Sequence, residues 1–255
     1  REHRRKSEPF PPELTSTVSH DIKTPLTSIV NYVELIRQLS PTDETLCTYI
    51  DVLDRQSTRL KKLIDDLLEA SKASSGVLNV IPAPCEVGVL LEQVQGEYAE
   101  RLHAHDLNLI VQTPDKTLTV LADGRHLGRI FDNLMNNIIK YAQPGTRVYL
   151  DARAGLDPAA PGGSRPVAVI TFRNVSAEPL NIPAEELLER FVRGDASRHT
   201  EGSGLGLAIV QSLTELQGGS LQLAIDGDLF KVRLTFPLYT PADAAQAASS
   251  GKETP

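Results

Sequence analysis

The chain has 255 residues, room for one large domain or two modest ones, and its 40% apolar content is that of an ordinary globular protein. Acidic side chains outnumber basic ones by 33 to 26, and the net charge of −7 argues against a nucleic-acid surface. No apolar run approaches the ~20 residues of a membrane helix, and no apolar leader follows the charged start. Cys47 and Cys85 lack framework spacing and read as two inert thiols in a reducing compartment.

Residues 1–11 form a basic N-terminal segment, and a start at Arg1 rather than Met is expected of a piece of a longer chain. A first helix is expected from Pro12 to about Leu39, ended by the Ser40-Pro41 turn. Leu14, Val18, Ile22, Leu26, Ile29, Val33 and Ile36 recur along it at steps of three or four, one apolar stripe. His20 lies two positions from Ile22, about 200° round the helix, and so on the polar side. Asp21 beside it can hold one ring nitrogen protonated and leave the other free as a nucleophile. Pro25 cannot donate to the carbonyl of Asp21 and costs about 3 kcal/mol in a helix interior, a defect that asks for a reason. Against this stands the plain reading of a solvated surface histidine.

Thr42 or Asp43 can cap a second helix carrying Leu46, Ile50, Leu53, Ser57, Leu60, Ile64 and Leu67. This is a heptad seam broken once, at Ser57. Two antiparallel helices over 12–80 cannot bury both stripes alone, which predicts a dimeric four-helix bundle; packing against the chain's own second domain is the alternative. Ile81-Pro82-Ala83-Pro84-Cys85-Glu86 reads as a short stiff linker and hinge.

Over 87–239 the pattern changes to mixed helix and strand. Helices are expected near Val87–His103, from the cap Asp123 to about Ala142, and at Leu205–Gln217. Strands are expected near Leu107–Gln112, Leu118–Leu121, Arg147–Ala154 and Val167–Arg173, with a Gly/Pro-rich loop at Gly155–Pro166. An irregular stretch is expected over Asn174–Ser203, and a final hairpin, Ser220–Ala224 with Leu229–Pro237, turns at Asp226-Gly227-Asp228. The Ala/Ser-rich residues 240–255 read as a disordered tail.

Two stretches in this second domain carry chemistry. Gly202-Ser203-Gly204-Leu205-Gly206 precedes a helix, so its backbone can approach a ligand and the helix N-terminus can offer N–H groups to phosphate. On the helix after Asp123, Asn133, Asn137, Lys140 and Tyr141 share one face, suited respectively to a hydrated Mg²⁺, a phosphate and an aromatic base. A flexible turn and a solvated polar face are the plain alternatives.

Taken together these stretches resemble the cytoplasmic core of a bacterial two-component sensor histidine kinase. S-H-D-I-K-T-P-L is similar to that family's H box and N-L-M-N-N-I-I-K-Y-A to its N box. R-F-V-R-G-D, at Arg190–Asp195, is similar to its F box and G-S-G-L-G-L to its second glycine box, all four in the family order. The resemblance implies an α-helical hairpin forming a dimeric four-helix bundle, followed by an α/β two-layer sandwich that binds ATP, of the histidine-kinase and gyrase-like ATPase fold.

It also implies roles. His20 would be the phosphoacceptor, Asp21 its orienting or basic partner, and Thr24 the residue that places water when a response regulator is dephosphorylated. Asn137 would be the Mg²⁺ ligand with Asn133 nearby, Lys140 would reach a phosphate and Tyr141 would flank the adenine or ribose. Gly202, Ser203, Gly204, Leu205 and Gly206 would line the triphosphate, with Arg193 and Arg198 of the lid neutralising its charge; Phe191 would anchor packing. The expected partners are a second copy of the chain and the receiver domain of a response regulator, with no nucleic acid. The resemblance further implies a membrane-anchored sensor region outside this chain and a place on the cytoplasmic side of the bacterial plasma membrane.

The first glycine box departs from the family pattern. Asn174-Val175-Ser176-Ala177-Glu178-Pro179-Leu180 stands in its place, with Asn174 where an Asp accepts from the adenine amino group. An amide accepts that bond without charge assistance. Two other readings stay open: a gyrase- or chaperone-like ATPase, disfavoured because Asn133 stands where those enzymes place a basic Glu, and a catalytically dead dimeric scaffold that binds a regulator.

Overall fold

A computed structural model of the protein describes residues 26–39, 41–74, 78–113, 117–158, 164–181, 183–188 and 204–239, which fall into two compact units divided between Leu78 and Asn79. The basic start, the tail, His20, Asp21, Thr24 and Pro25 lie outside the described residues.

The first unit is a helical hairpin of α1 (residues 26–38) and α2 (Glu44–Ser74). Asp43 caps α2, its Oδ1 accepting from Leu46 N–H at 2.7 Å. Leu26, at the start of α1, clusters with Ile64 and Leu68, while Arg37, near its end, pairs with Asp51 at 2.9 Å and Asp54 at 3.1 Å. The start of one helix therefore meets the far half of the other, and the pair is antiparallel.

The heptad seam divides cleanly. Ile50, Ser57, Ile64 and Ser71, seven apart, are buried, and so are Leu26 and Val33 on α1. The alternate positions Leu46, Leu53, Leu60 and Leu67, with Ile29 and Ile36 on α1, are exposed. One half of each stripe closes the hairpin and the other half is uncovered in the single chain.

The second unit holds a five-stranded sheet of order β2-β4-β5-β7-β6. Its strands are β2 (Asn108–Gln112), β4 (Arg147–Asp157), β5 (Arg165–Val175), β6 (Ser220–Asp226) and β7 (Leu229–Pro237). Only β2 and β4 run parallel, and all other neighbours are antiparallel. The helices are α3 (Val87–Ala104), α4 (Gly124–Tyr141), the short α5 (Ala184–Leu187) and α6 (Gly206–Leu216). Period-two alternation puts Leu150, Ile170, Phe172, Leu234 and Phe236, all at most 2% exposed, on one face of the sheet. Phe131 of α4 packs on Phe172 with ring centroids 5.5 Å apart, which fixes that face as the helix side and adds about 0.5–1.5 kcal/mol beyond area burial.

The linker expected over Ile81–Glu86 is corrected. Ala83–Glu86 form β1, antiparallel to β3 (Thr119–Ala122) in a separate two-stranded sheet, and Val87 N–H donates to the Leu118 carbonyl. These residues belong to the second unit, because proline is tolerated on an edge strand where its missing N–H faces away from the ladder. The loop expected at Gly155–Pro166 is also shorter, since β4 runs on to Asp157 and β5 begins at Arg165. Gly155 is there for space: a Cβ on it would lie 2.9 Å from Val169 Cγ2 across the ladder. The irregular stretch begins later than expected, because Asn174 and Val175 complete β5 opposite Phe230 and Leu229.

Candidate functional site

The site grows from α4, a helix with three faces. Leu127, Ile130, Phe131, Leu134, Met135 and Ile138 are buried at alternating steps of three and one and pack into the core. Asp132 and Asn136 meet α3: Tyr98 OH donates to Asp132 Oδ1 at 2.7 Å, and Arg101 Nη2 donates to Asn136 Oδ1 at 2.8 Å while its guanidinium stacks over the Tyr98 ring. Burial, helped by the Asp132 carboxylate, pushes the Tyr98 phenol up to about 12, so it stays a donor across the physiological range. With α4 held on these two sides, Asn133 and Asn137 fall on the third, toward α6.

Gly206 opens α6 against that third face. A Cβ on it would lie 3.3 Å from Asn133 Oδ1 and 3.7 Å from both amide atoms of Asn137. A Cβ there would crowd the Asn133 oxygen and stand in ordinary contact with Asn137, and a longer side chain would intrude further. Asn133 Nδ2 donates to the Arg129 carbonyl at 2.8 Å, so its oxygen is the atom left toward Gly206. Gly204, two residues earlier, has φ +69°, a left-handed turn that favours glycine. Leu205, 1% exposed, holds the capping position of α6 with an apolar side chain and makes no side-chain cap bond.

Lys140 and Tyr141 at the end of α4 engage each other: Nζ donates to the phenol oxygen at 2.7 Å and lies 4.6 Å from the ring centroid. Beyond them the chain is stitched to the end of β5. Gln143 N–H donates to the Val175 carbonyl, Ala177 N–H to the Tyr141 carbonyl, and Ser176 N–H to the Asp228 carbonyl at the final hairpin turn. The segment standing in place of the first glycine box is thus fastened to α4. Asn174, 4% exposed, shares the helix face of β5 with Phe172, and its Nδ2 donates to the Val175 carbonyl at 3.2 Å.

The structure therefore brings Asn133, Asn137, Leu205 and Gly206 together and sets Lys140 beside Tyr141. Arg190, Phe191, Arg193, Arg198, Gly202 and Ser203 lie outside the described residues. Among the described residues no three His, Cys, Asp or Glu side chains cluster as a metal site. The amide oxygens of Asn133 and Asn137 fit a Mg²⁺ that takes most of its remaining ligands from water and phosphate, the usual habit of that ion. Tyr98, Arg101, Asp132 and Asn136 were not singled out by sequence reasoning, because nothing local marks a polar pair formed between two helices.

A mixed sheet backed by helices, with an asparagine face on one helix and a glycine turn opening the next, is an arrangement suited to binding a nucleotide. The family model for "Histidine kinase-, DNA gyrase B-, and HSP90-like ATPase" matches residues 122–240, and that for "His Kinase A (phospho-acceptor) domain" matches residues 13–76. The two matched domains, in this order, are those of the cytoplasmic core of a two-component sensor histidine kinase. It is 29% identical over 229 residues to Sensor protein VanS of Enterococcus faecium, covering 88% of this chain and 56% of that protein. It is 31% identical over 216 residues to the signal transduction histidine-protein kinase BaeS of Escherichia coli K12, covering 82% of this chain and 43% of that protein. The chain thus spans about half the length of these relatives.

Among solved structures, full-length ShkA, determined in complex with AMPPNP, superposes with a TM-score of 0.75 at 24% identity, covering 91% of this chain and 47% of that one. The Acinetobacter baumannii histidine kinase AdeS gives 0.58 at 18% identity, covering 87% and 98%. These likenesses establish the fold. No helix of the described residues is long and apolar enough to cross a membrane.

Proposed function

We propose that this chain autophosphorylates His20 from Mg²⁺·ATP and passes the phosphoryl group to an aspartate on the receiver domain of a response regulator. The observation that carries the reading is the meeting of Gly206, the first residue of α6, with the side-chain amides of Asn133 and Asn137.

In this reading His20 Nε2, with Nδ1–H held by Asp21, attacks the γ-phosphorus in line. The N–P bond forms as the bond to the β-phosphate oxygen breaks, and ADP leaves. Asn137, with Asn133, holds Mg²⁺, whose charge offsets that of the phosphates. Gly202, Ser203, Gly204, Leu205 and Gly206 present backbone to the triphosphate; Arg193 and Arg198 neutralise charge on the transferred group. Lys140 reaches a phosphate, Tyr141 beside it flanks the adenine or ribose, and Asn174 accepts from the adenine amino group. Thr24 positions water for the reverse task of dephosphorylating the regulator. Asn133 offers no base to activate water, which disfavours simple hydrolysis.

The uncovered half of the heptad stripe supports a homodimer joined as a four-helix bundle, on which the receiver docks. A membrane-anchored sensor region outside this chain would place these units at the cytoplasmic side of the bacterial plasma membrane. The test is His20→Gln. It should abolish transfer of label from γ-labelled ATP and leave nucleotide binding intact; label persisting on the variant would overturn the assignment.

A further inference from the structure

Asp123 makes far more contacts than a helix cap requires. One bond, from Arg125 N–H to its Oδ1 at 3.0 Å, already caps α4. Yet its side chain is 3% exposed, and Oδ2 also accepts from Ile81 N–H at 3.0 Å and Arg125 Nη2 at 2.7 Å. His126 Nε2 stands 3.9 Å from the same oxygen and 3.2 Å from the Asn79 carbonyl oxygen. The Asp123 N–H donates to Gln217 Oε1 at 2.8 Å, and Gln217 Nε2 donates to the Leu213 carbonyl, tying that side chain to the last turn of α6. Three segments meet at Asp123: residues 79–81, by which the chain enters the second unit, and the start of α4 at its carboxylate, and the end of α6 at its backbone N–H.

We infer that Asp123 is a positioning residue that couples the entry segment 79–81 to the nucleotide site. The two helices it joins bring Asn133, Asn137 and Gly206 together, so an entry segment in place holds them in register, and release of that segment loosens them. Coupling of this kind is reciprocal: nucleotide must tighten the Ile81 bond as much as that bond tightens nucleotide. This inference rests on the nucleotide-binding reading above and adds a regulatory input to it.

Ile81→Pro isolates the bond, because it deletes the N–H donor while the Ile81 side chain is 59% exposed and packs little. Ile81→Ala, which keeps the N–H, is the control. His126→Ala is a second variant, removing the contact to Asn79, should the proline disturb the fold. The probe is the non-hydrolysable analogue AMPPNP with Mg²⁺, titrated into the full chain, with amide exchange followed at Ile81. Saturation should slow exchange at Ile81 by about fivefold or more, and Ile81→Pro and His126→Ala should each weaken binding by about fivefold or more. Ile81→Ala should stay within about twofold of the parent. Unchanged affinity in both disruptive variants, or exchange at Ile81 indifferent to saturating nucleotide, would overturn the coupling while leaving the nucleotide site standing. A parent chain that binds no nucleotide would overturn the functional reading first, and the coupling with it.

Discussion

Asn137 and Asn133 differ in how firmly each is held. The Asn133 amide is clamped to the Arg129 carbonyl, so its oxygen is preset, whereas both Asn137 amide atoms lie 3.7 Å from where a Cβ on Gly206 would stand. Asn137→Ala should therefore cost about 10- to 100-fold in Mg²⁺-dependent nucleotide affinity, read by titration with and without the metal; unchanged affinity would remove it from the site. Asp123 makes a prediction in pH. The Arg125 guanidinium, above all, holds its carboxyl far below the usual carboxylate range. A depressed carboxylate contributes stability that is complete above its unfolded value of about 4 and is lost as pH falls toward the lower folded value. Asp123→Asn should lower the melting temperature at neutral pH and flatten its fall on acidification, and parallel acid limbs in parent and variant would contradict this. Asp123 was legible as a cap from its place after a strand. Its bonds to Ile81 and Gln217, 42 and 94 residues away, were not, because no local pattern encodes such meetings.

Among the elements, α4 was the most legible, since an apolar stripe, a capping Asp and an asparagine face coincide in it. Two of the misreadings share one cause: glycine and proline were taken as punctuation. Pro82 and Pro84 hid β1, and Gly155 looked like a loop although it relieves cross-strand crowding against Val169. Gly206 shows the opposite case, where the glycine signal was sound but its physical reason lay on another helix. Gly206→Ala tests that reason. Gly206 is the first residue of α6, where alanine's interior helix preference hardly counts, so the variant should melt close to the parent. Its Cβ would nevertheless crowd Asn133 Oδ1 and shift that amide, so nucleotide binding should weaken. Calorimetry on the same sample reads both, and a loss of stability with affinity unchanged would mean that Gly206 serves folding alone.

For the whole molecule, the two units were legible as a change from seven-residue periodicity to mixed helix and strand. Their boundary was not, because the Pro-rich stretch that looked like a hinge is strand, and the division falls between Leu78 and Asn79. The split of the heptads was also invisible in sequence, where Ile50 and Leu53 look alike; only packing shows one buried and the other half exposed. That exposed half predicts that Leu53→Glu converts a dimer to monomers with helix content retained, measured by sedimentation and circular dichroism. A parent chain already monomeric at micromolar concentration would contradict the bundle.

The central claim is phosphoryl transfer to His20, and the chemical stability of the label tests it most directly. The chain is incubated with γ-labelled ATP and Mg²⁺, then exposed separately to acid and to base. The account predicts label that survives base and is lost in acid, as a phosphoramidate should be. Nucleotide bound with no label formed, or label that survives acid, would contradict it and leave a binding scaffold or a different acceptor in its place.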